Sequence, residues 1–264
     1  MSKTINILFV GDIIGKPGLE LTSSILKSLL EKYNIDFCIA NGENVADGKG
    51  ITEEDAKALF ALGVHVITGG NHTWDRWDSR KVLGSNRNIL RPINYPRENG
   101  GNGLVVYELS SEVKVGVLNV QGRTFMQAIE DPFKSVDWAL AKIHEQTKIV
   151  FIDFHAEATA EKMALGWYVD GRASVLVGTH THTPTADARI LPRSTAFITD
   201  VGMTGPYDSV LGMKKEPALQ RFLKQTPHKY ETAVNDVRLC GVVAEVEIET
   251  GKCVKFEQII LPKF

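Results

Sequence analysis

Two histidines separated by one residue follow a nearly apolar segment of the chain. Residues 173–177 read as a buried β-strand, and the run continues through Gly-Thr to His180 and His182. A strand that ends in a Gly-Thr break turns its backbone out of the sheet and exposes the next side chains to a ligand. Two imidazoles there are typical of a metal site, although the same pair would also suit a polar turn.

Four other predicted strands also end at polar side chains. They cover residues 5–10, 37–40, 64–68 and 149–154, and each is followed within three residues by groups that could bind a metal: Asp12, Glu43 with Asn44, Asn71 with His72, and His155. In open α/β sheets, ligands bind at the carboxyl ends of the strands. Taken singly, Asp12 suits a helix cap, the asparagines suit turns and His155 suits a core. Their coincidence favours one common site.

The segments between these strands predict an α/β fold. A polar turn at 11–18 leads to a helix that reaches residue 33, Thr52 is the expected N-cap of a helix through residue 62, and residues 131–146 and 161–168 are also helical. An irregular segment at 91–103 precedes strands at 104–109 and 114–119, joined by a turn at 110–112. The C-terminal part is predicted to be largely β, with strands at 196–199, 239–249 and 252–261. We expect one domain over residues 1–264.

Composition narrows the classes of function. The 30 Lys and Arg residues nearly balance the 32 Asp and Glu residues, so the formal net charge is −2, and there is no basic block. General nucleic-acid binding is therefore not expected. Three separated cysteines, Cys38, Cys240 and Cys253, lack zinc or redox spacing. The stretch before the first strand is too short for a signal peptide or a membrane span, so we expect a cytoplasmic protein without membrane contacts.

The candidate residues comprise one aspartate, one glutamate, two asparagines and four histidines, with no thiolate. Carboxylate, carboxamide and imidazole ligands together suit Fe, Mn, Co or Zn, and they argue against Ca or Mg alone. One ion uses about three to five protein ligands, so the surplus indicates two ions that share a carboxylate. Such pairs polarise phosphoryl oxygens and make hydroxide available near neutral pH.

The order of these residues resembles that of a known superfamily. Gly-Asp at 11–12, Gly-Asn-His at 70–72 and Gly-Thr-His-Thr-His at 178–182, with His155 before the last block, resemble the calcineurin-like metallophosphoesterases. The blocks at 11–15, 41–44, 70–75, 155–157 and 200–205 are similar to the YmdB-type cyclic-nucleotide phosphodiesterases. Ile14 replaces a histidine ligand of the wider superfamily and Glu43 replaces its bridging aspartate. Both departures are shared with the YmdB-type group.

This resemblance implies a four-layer α/β/β/α sandwich of the metallophosphoesterase type with two metals at its rim. It assigns the first metal to Asp12, Glu43, Asn44 and His182, and the second to Glu43 as a bridge, Asn71, His155 and His180. His72 would be catalytic and lie outside the metal shell, where it faces the substrate phosphate or protonates the leaving oxygen. The implied cofactors are two divalent or trivalent transition-metal ions, with iron favoured over manganese, cobalt or zinc.

The implied activity is hydrolysis of 2′,3′-cyclic nucleotides, with 2′,3′-cAMP favoured, to 3′-nucleotides by metal-activated hydroxide. The expected partner is therefore a small cyclic nucleotide or phosphodiester, and a homo-oligomer is compatible with the sequence. Two alternatives remain open: a phosphomonoesterase or 5′-nucleotidase on the same scaffold, and a regulatory protein that holds a nucleotide or RNA end with little turnover. Nothing in the sequence selects the base. Arg123 could reach a phosphate or be an ordinary surface arginine.

Overall fold

The structure, a computed structural model, describes residues 3–110 and 112–264. The first part of the chain contains, in order, β1 (Thr4–Val10), α1 (Gly15–Lys32), β2 (Phe37–Asn41), α2 (Glu53–Ala61), β3 (Val66–Thr68), a 3₁₀-helix (Asn71–Trp74) and α3 (Trp77–Ser85). The middle contains β4 (Leu104–Glu108), β5 (Lys114–Gln121), α4 (Pro132–His144), β6 (Val150–His155), α5 (Thr159–Val169) and β7 (Val175–Thr179). The last part contains β8 (Arg189–Ile190), β9 (Ala196–Ile198), β10 (Gly205–Pro206), α6 (Lys215–Lys224), β11 (Val237–Glu247) and β12 (Cys253–Leu261).

These strands form two sheets of six. The first sheet runs β10-β11-β1-β2-β3, and β12 also pairs with β11. The second runs β4-β5-β6-β7-β9-β8. Strands β1, β2 and β3 are mutually parallel, as are β5, β6, β7 and β9. Each sheet therefore has a group of neighbouring parallel strands whose carboxyl ends meet at one edge, where ligands bind in open α/β folds.

Successive side chains of a strand point to opposite faces of the sheet, so the buried apolar residues form three separate cores. In β1, Ile7 and Phe9 face the core between the sheets, where Phe9 stacks on Phe151 of β6 with ring centroids 5.3 Å apart. Leu8 and Val10 point to the opposite face and pack with residues of α1 and α2. The outer face of the second sheet packs with residues of α4 and α5. Because side chains alternate with a period of two, each sheet is buried on both faces, and the layers are α/β/β/α as predicted.

Most predicted elements are present, with displaced ends. Thr52 caps α2 through a capping box with Asp55, as expected. Helix α1 already begins at Gly15, inside the predicted polar turn. The 3₁₀-helix and α3 were not predicted, and α6 corrects the expectation of a largely β C-terminal part. The predicted turn at 110–112 includes Ser111, which lies outside the described residues. Over the described ranges, no helix combines the length and apolar character needed to cross a bilayer.

Candidate metal centre

The predicted site residues lie at the carboxyl ends of five strands. Asp12 follows β1, Glu43 and Asn44 follow β2, and Asn71 and His72 open the 3₁₀-helix after β3. In the second sheet, β6 ends at His155, and His180 and His182 follow β7. The first sheet thus contributes mainly oxygen groups, and the second contributes imidazoles.

The centre of the site is the Nε2 atom of His155. Three acceptor atoms approach it: Asn71 Oδ1 at 2.8 Å, Glu43 Oε1 at 3.1 Å and His180 Nδ1 at 3.1 Å. A single imidazole nitrogen can donate one hydrogen bond at most, so it cannot satisfy all three. Ligand atoms of Glu43, His155 and His180 lie within 4.8 Å of one another. The convergence of these nitrogen and oxygen atoms is the arrangement expected of a first-row transition-metal site.

The tautomer of His155 supports this interpretation. The Thr179 hydroxyl donates to Asp153 Oδ1 at 2.7 Å, so its lone pair is free to accept from His155 Nδ1, 3.0 Å away. With Nδ1 donating to Thr179, the Nε2 atom would, once deprotonated, direct its lone pair at a cation bound among the other groups. Metal-binding histidines generally donate their second N–H in this way, which fixes the ring and the tautomer.

Unpartnered oxygens mark the same place. Asp12 Oδ1 and Asn44 Oδ1 are buried and accept no hydrogen bond, and Glu43 Oε1 has only its short contact with His155. Buried polar atoms are normally paired, and each exception calls for an explanation. Since all three atoms belong to predicted ligands, the residues present fit a bound cation. Asp12 Oδ2 accepts from the His180 backbone N–H at 3.1 Å, which joins it to the second sheet.

The electrostatics also favour a positive charge here. Burial lowers the pKa of His155, but Glu43 and the carboxylates of Asp12 and Asp153 outweigh burial and raise it to about 9. Burial raises the pKa of Glu43, but His155 and the His72 backbone amide lower it to about 2. Burial and the neighbouring carboxylates hold the pKa of Asp12 well above its usual value. The site is therefore an anionic pocket in which a cation is stabilised.

The two histidines after β7 adopt an unusual backbone conformation. His180 and His182 have φ angles of 98° and 62°, in the left-handed region that residues with a side chain rarely adopt. His180 Nε2 lies 3.0 Å from Glu157 Oε2, which leaves its Nδ1 for the cluster. His182 Nδ1 lies 3.1 Å from the carbonyl oxygen of Leu211. The backbone turn and these partners fix the direction of both rings.

A buried ion pair supports this turn from behind. The Lys162 Nζ and Asp200 Oδ2 atoms are 2.7 Å apart, and both side chains are almost fully buried. The same Asp200 oxygen accepts from the backbone N–H and the hydroxyl of Thr181, at 3.1 and 2.8 Å. Because Thr181 lies between the two histidines, Asp200 fixes the segment that carries them.

Gly70 permits the backbone to pass close to the cluster. A Cβ at this position would collide with Glu43 Oε2 and with His155 Nε2. Because Gly70 has no side chain, the start of the 3₁₀-helix can lie close to Glu43 and His155. There the His72 backbone N–H donates to Glu43 Oε2 at 3.0 Å. Any larger residue would displace either Glu43 or His155.

Within the described residues, the His72 side chain bonds to Asp75 and not to this cluster. Its Nδ1 lies 2.9 Å from Asp75 Oδ2, and the side chain is 30% exposed. Asp75 also accepts from Lys49 Nζ at 3.1 Å. Partial burial raises the pKa of Asp75, but the bonds from His72 and Lys49 hold it below its usual value. Asp75 is thus an anionic group that orients the imidazole and leaves Nε2 free.

The structure does not bring all the predicted ligands into direct contact. Asp12, Glu43, Asn71, His155 and His180 form one contact cluster. Within the described residues, the side chains of two others have hydrogen bonds only to backbone groups outside this cluster: Asn44 to Gly48 and His182 to Leu211. Arg123 pairs with Asp131 at 2.9 Å, in keeping with the surface interpretation.

The residues that hold the imidazoles in place are not among the predicted site residues: Asp153, Thr179, Glu157, Lys162 and Asp200. Asp153 could have been predicted, because it precedes His155 by two positions in a strand and both side chains therefore point to the same face. Thr179, Glu157 and Asp200 lie within the blocks that resemble the YmdB-type group or its superfamily, but their contacts join residues that are distant in the sequence. No local pattern indicates Lys162.

The chain is similar to known proteins over almost its whole length. The family model described as YmdB-like protein matches residues 8–259. The chain is 47% identical to the 2′,3′-cyclic-nucleotide 2′-phosphodiesterase of Bacillus subtilis, over 97% of this chain and 96% of that protein. A crystal structure of a phosphatase from Mycoplasma pneumoniae superposes with a TM-score of 0.94 at 35% identity, over 99% of this chain and 94% of that one.

A more distant structure shows the fold alone. The sulfate thiohydrolase SoxB of Thermus thermophilus superposes with a TM-score of 0.56 at 14% identity, over 94% of this chain and 43% of that one. Together with the two central sheets and their outer helices, these neighbours confirm the metallophosphoesterase fold. The chain belongs to the YmdB-like protein family.

Proposed function

We propose that this protein is a metal-dependent phosphodiesterase that hydrolyses 2′,3′-cyclic nucleotides, 2′,3′-cAMP among them, to 3′-nucleotides. The observation that carries the proposal is the approach of Glu43, Asn71 and His180 to a single nitrogen of His155, with His72 beside them but outside the cluster. The similarity to a protein named as a 2′,3′-cyclic-nucleotide 2′-phosphodiesterase supports the substrate class.

Two ions bound at this edge would stabilise charge on the phosphoryl oxygens and supply a nucleophile that ionises near neutral pH. Asn71, His155 and His180 would hold the second ion, Asp12, Asn44 and His182 would hold the first, and Glu43 would bridge them. These carboxylate, carboxamide and imidazole groups suit iron, manganese, cobalt or zinc, and iron is our first candidate because the resemblance to the YmdB-type group implies it. Elemental analysis of gently purified protein tests that assignment.

In this proposal, His72 acts on the leaving oxygen. Hydroxide forms a bond to phosphorus, the bond from phosphorus to the ribose 2′ oxygen breaks, and that oxygen takes a proton from His72 Nε2. The product keeps its phosphate on the 3′ oxygen. Asp75 lies 2.9 Å from Nδ1, so it orients the ring and leaves Nε2 to face the leaving oxygen.

The substitution His72→Ala tests this role. We expect the variant to fold and to retain its metal, yet to lose about 10²- to 10⁴-fold in turnover of 2′,3′-cAMP, the range typical of a missing general acid. The loss should be much smaller on bis(p-nitrophenyl) phosphate, because nitrophenolate leaves without protonation. Turnover of both substrates and the metal content should be measured on the same preparation.

His228→Ala is the matched control, because His228 is a histidine whose ring contacts only Thr226. Equal losses on the two substrates would contradict the acid role of His72, and loss of metal would place it among the ligands. Faster turnover by the wild-type enzyme of 3′- or 5′-nucleotides than of cyclic nucleotides would favour a phosphomonoesterase instead.

We also propose that the enzyme works in the cytoplasm. The three cysteines are free and buried, which suits a reducing compartment. Fractionation of the native cells tests this location, and recovery of the protein outside the cytoplasmic fraction would contradict it.

A further inference from the structure

A cavity of about 870 Å³ adjoins the metal centre. It lies between the 3₁₀-helix, the irregular segment at 95–100 and the loop at 127–130. Asn71 lines it and also contacts His155, and Asp75 lines it and also binds His72. A substrate whose phosphate lies between the metal centre and His72 can therefore extend its remaining atoms into this cavity.

One wall of the cavity is aromatic. The rings of Trp74 and Tyr95 meet edge to face, with centroids 6.0 Å apart and an interplanar angle of 61°. Tyr95 is only 5% exposed, and its hydroxyl donates to Gln121 Oε1 at 3.1 Å, so this ring is fixed. A fixed aromatic surface is the usual platform on which proteins stack a nucleobase.

Another part of the lining carries free amide groups. Within the described residues, the side chains of Asn99 and Gln127 have no hydrogen bond to the protein, although both line the cavity. An amide side chain offers donors and an acceptor together. This combination matches the N6 and N7 atoms of adenine, which asparagine and glutamine bind with two hydrogen bonds.

The charge of the lining distinguishes a base from a phosphate. The cavity is lined by the carboxylates of Asp75, Glu98 and Glu130 and by one guanidinium, that of Arg80. This excess of negative charge would repel the further phosphates of an RNA chain. A neutral base meets no such repulsion, so the cavity suits the base of a mononucleotide.

We propose that this cavity is the base-binding subsite and that Asn99 and Gln127 make it prefer adenine. The inference rests on the proposed function, which places the phosphate of the nucleotide beside His72. The ring of Trp74, which is only partly buried and is held in place by Tyr95, stacks on the base, and the two amides recognise the edge that adenine has and uracil lacks.

Binding of nucleotide products tests the subsite without turnover. Equilibrium dialysis of the protein as purified should show that adenosine 3′-phosphate binds about tenfold more tightly than uridine 3′-phosphate, the effect of one or two good hydrogen bonds. The double variant Asn99→Ala/Gln127→Ala should lose this preference. Asn102→Ala, in the neighbouring cavity, should retain it.

Kinetics separate the base from the reacting phosphate. For 2′,3′-cAMP, the double variant should show a KM raised about tenfold with kcat nearly unchanged. Turnover of bis(p-nitrophenyl) phosphate should stay within about twofold of the wild type, because this substrate has no base that could contact the two amides. A tenfold change in its turnover would correspond to about 1.4 kcal/mol. Circular dichroism verifies folding, and the two single variants replace the double variant if it does not fold.

Equal binding of the two products by the wild type would overturn the subsite, as would an unchanged preference in the folded variants. These results would leave the proposed function intact if cyclic nucleotides are still hydrolysed. Conversely, an adenosine preference that depends on Asn99 and Gln127 without any hydrolysis of cyclic nucleotides would refute the proposed function and retain the subsite.

Discussion

The two sheets contribute to the site in different ways. The first sheet supplies the oxygen atoms of the proposed ligands, held largely by main-chain groups: Glu43 Oε2 accepts from the backbone of His72, and Asp12 Oδ2 accepts from the backbone of His180. The second supplies imidazoles whose rings are directed by side chains such as Thr179 and Glu157. Backbone amides are positioned by the fold itself, whereas side-chain partners can be removed singly. Single substitutions can therefore test the side chains that hold the histidine rings, but they cannot remove the backbone amides that hold the oxygen groups.

The buried ion pair behind the imidazole turn should give the largest effect. In Lys162→Met, Asp200 stays buried without its charged partner, so we expect a loss of about 3–5 kcal/mol in the free energy of unfolding. Urea denaturation with constant protein and metal concentrations measures it. The matched control is Lys142→Met, which breaks an exposed pair with Glu145 and should cost under about 1 kcal/mol. Equal losses would show that the Lys162 pair adds nothing special.

On the oxygen side, Glu43→Gln removes the charge of the predicted bridge but keeps its size. We expect loss of at least one metal and a decrease in activity on 2′,3′-cAMP of roughly 10²-fold or more, because a bridging ligand serves both ions. Metal content and turnover are measured together. Glu20→Gln, an exposed change on α1, is the control. Near-normal activity of the Glu43 variant would show that this carboxylate only shapes its turn.

A smaller effect is expected from Thr179→Val, which removes the hydroxyl between His155 and Asp153. The ring of His155 then loses the partner that fixes its tautomer, and we expect metal affinity to fall by about 10- to 100-fold. Competition with a chelator measures the affinity. Thr195→Val provides the control, since Thr195 is equally buried but donates to the Ala173 carbonyl oxygen. If both variants bind metal as tightly as the wild type does, metal binding by His155 does not depend on the Thr179 hydroxyl.

Much of the fold follows from local patterns. Continuous apolar runs indicated β1 and β2, and Thr52 marked the start of α2, because these signals come from neighbours in sequence. Helix α6 was not predicted, although Pro217 lies in its first turn, where proline is tolerated. Its exposed Leu219, Phe222 and Leu223 show that it also lacks a large buried face.

In the site, too, some residues could be predicted from the sequence and others could not. Its candidate ligands could be predicted because each directly follows a strand, and parallel strands end at one edge. Their support could not, because it depends on contacts across the molecule. Asn41 of the first sheet donates to Asp153 of the second at 3.0 Å, and Lys162 reaches Asp200 from a helix. The packing of the two sheets brings the first pair together, and the packing of α5 on the second sheet brings the second pair together.

The most direct test of the account is the number of metal ions per chain. Ligands from both sheets, with Glu43 shared between them, predict close to two transition-metal ions in gently purified protein measured by elemental analysis. His182→Ala should retain the ion held by His155 and His180 and lose the other. The two-metal account would be contradicted if the wild-type protein, reconstituted with iron, manganese, cobalt or zinc, never held more than one equivalent.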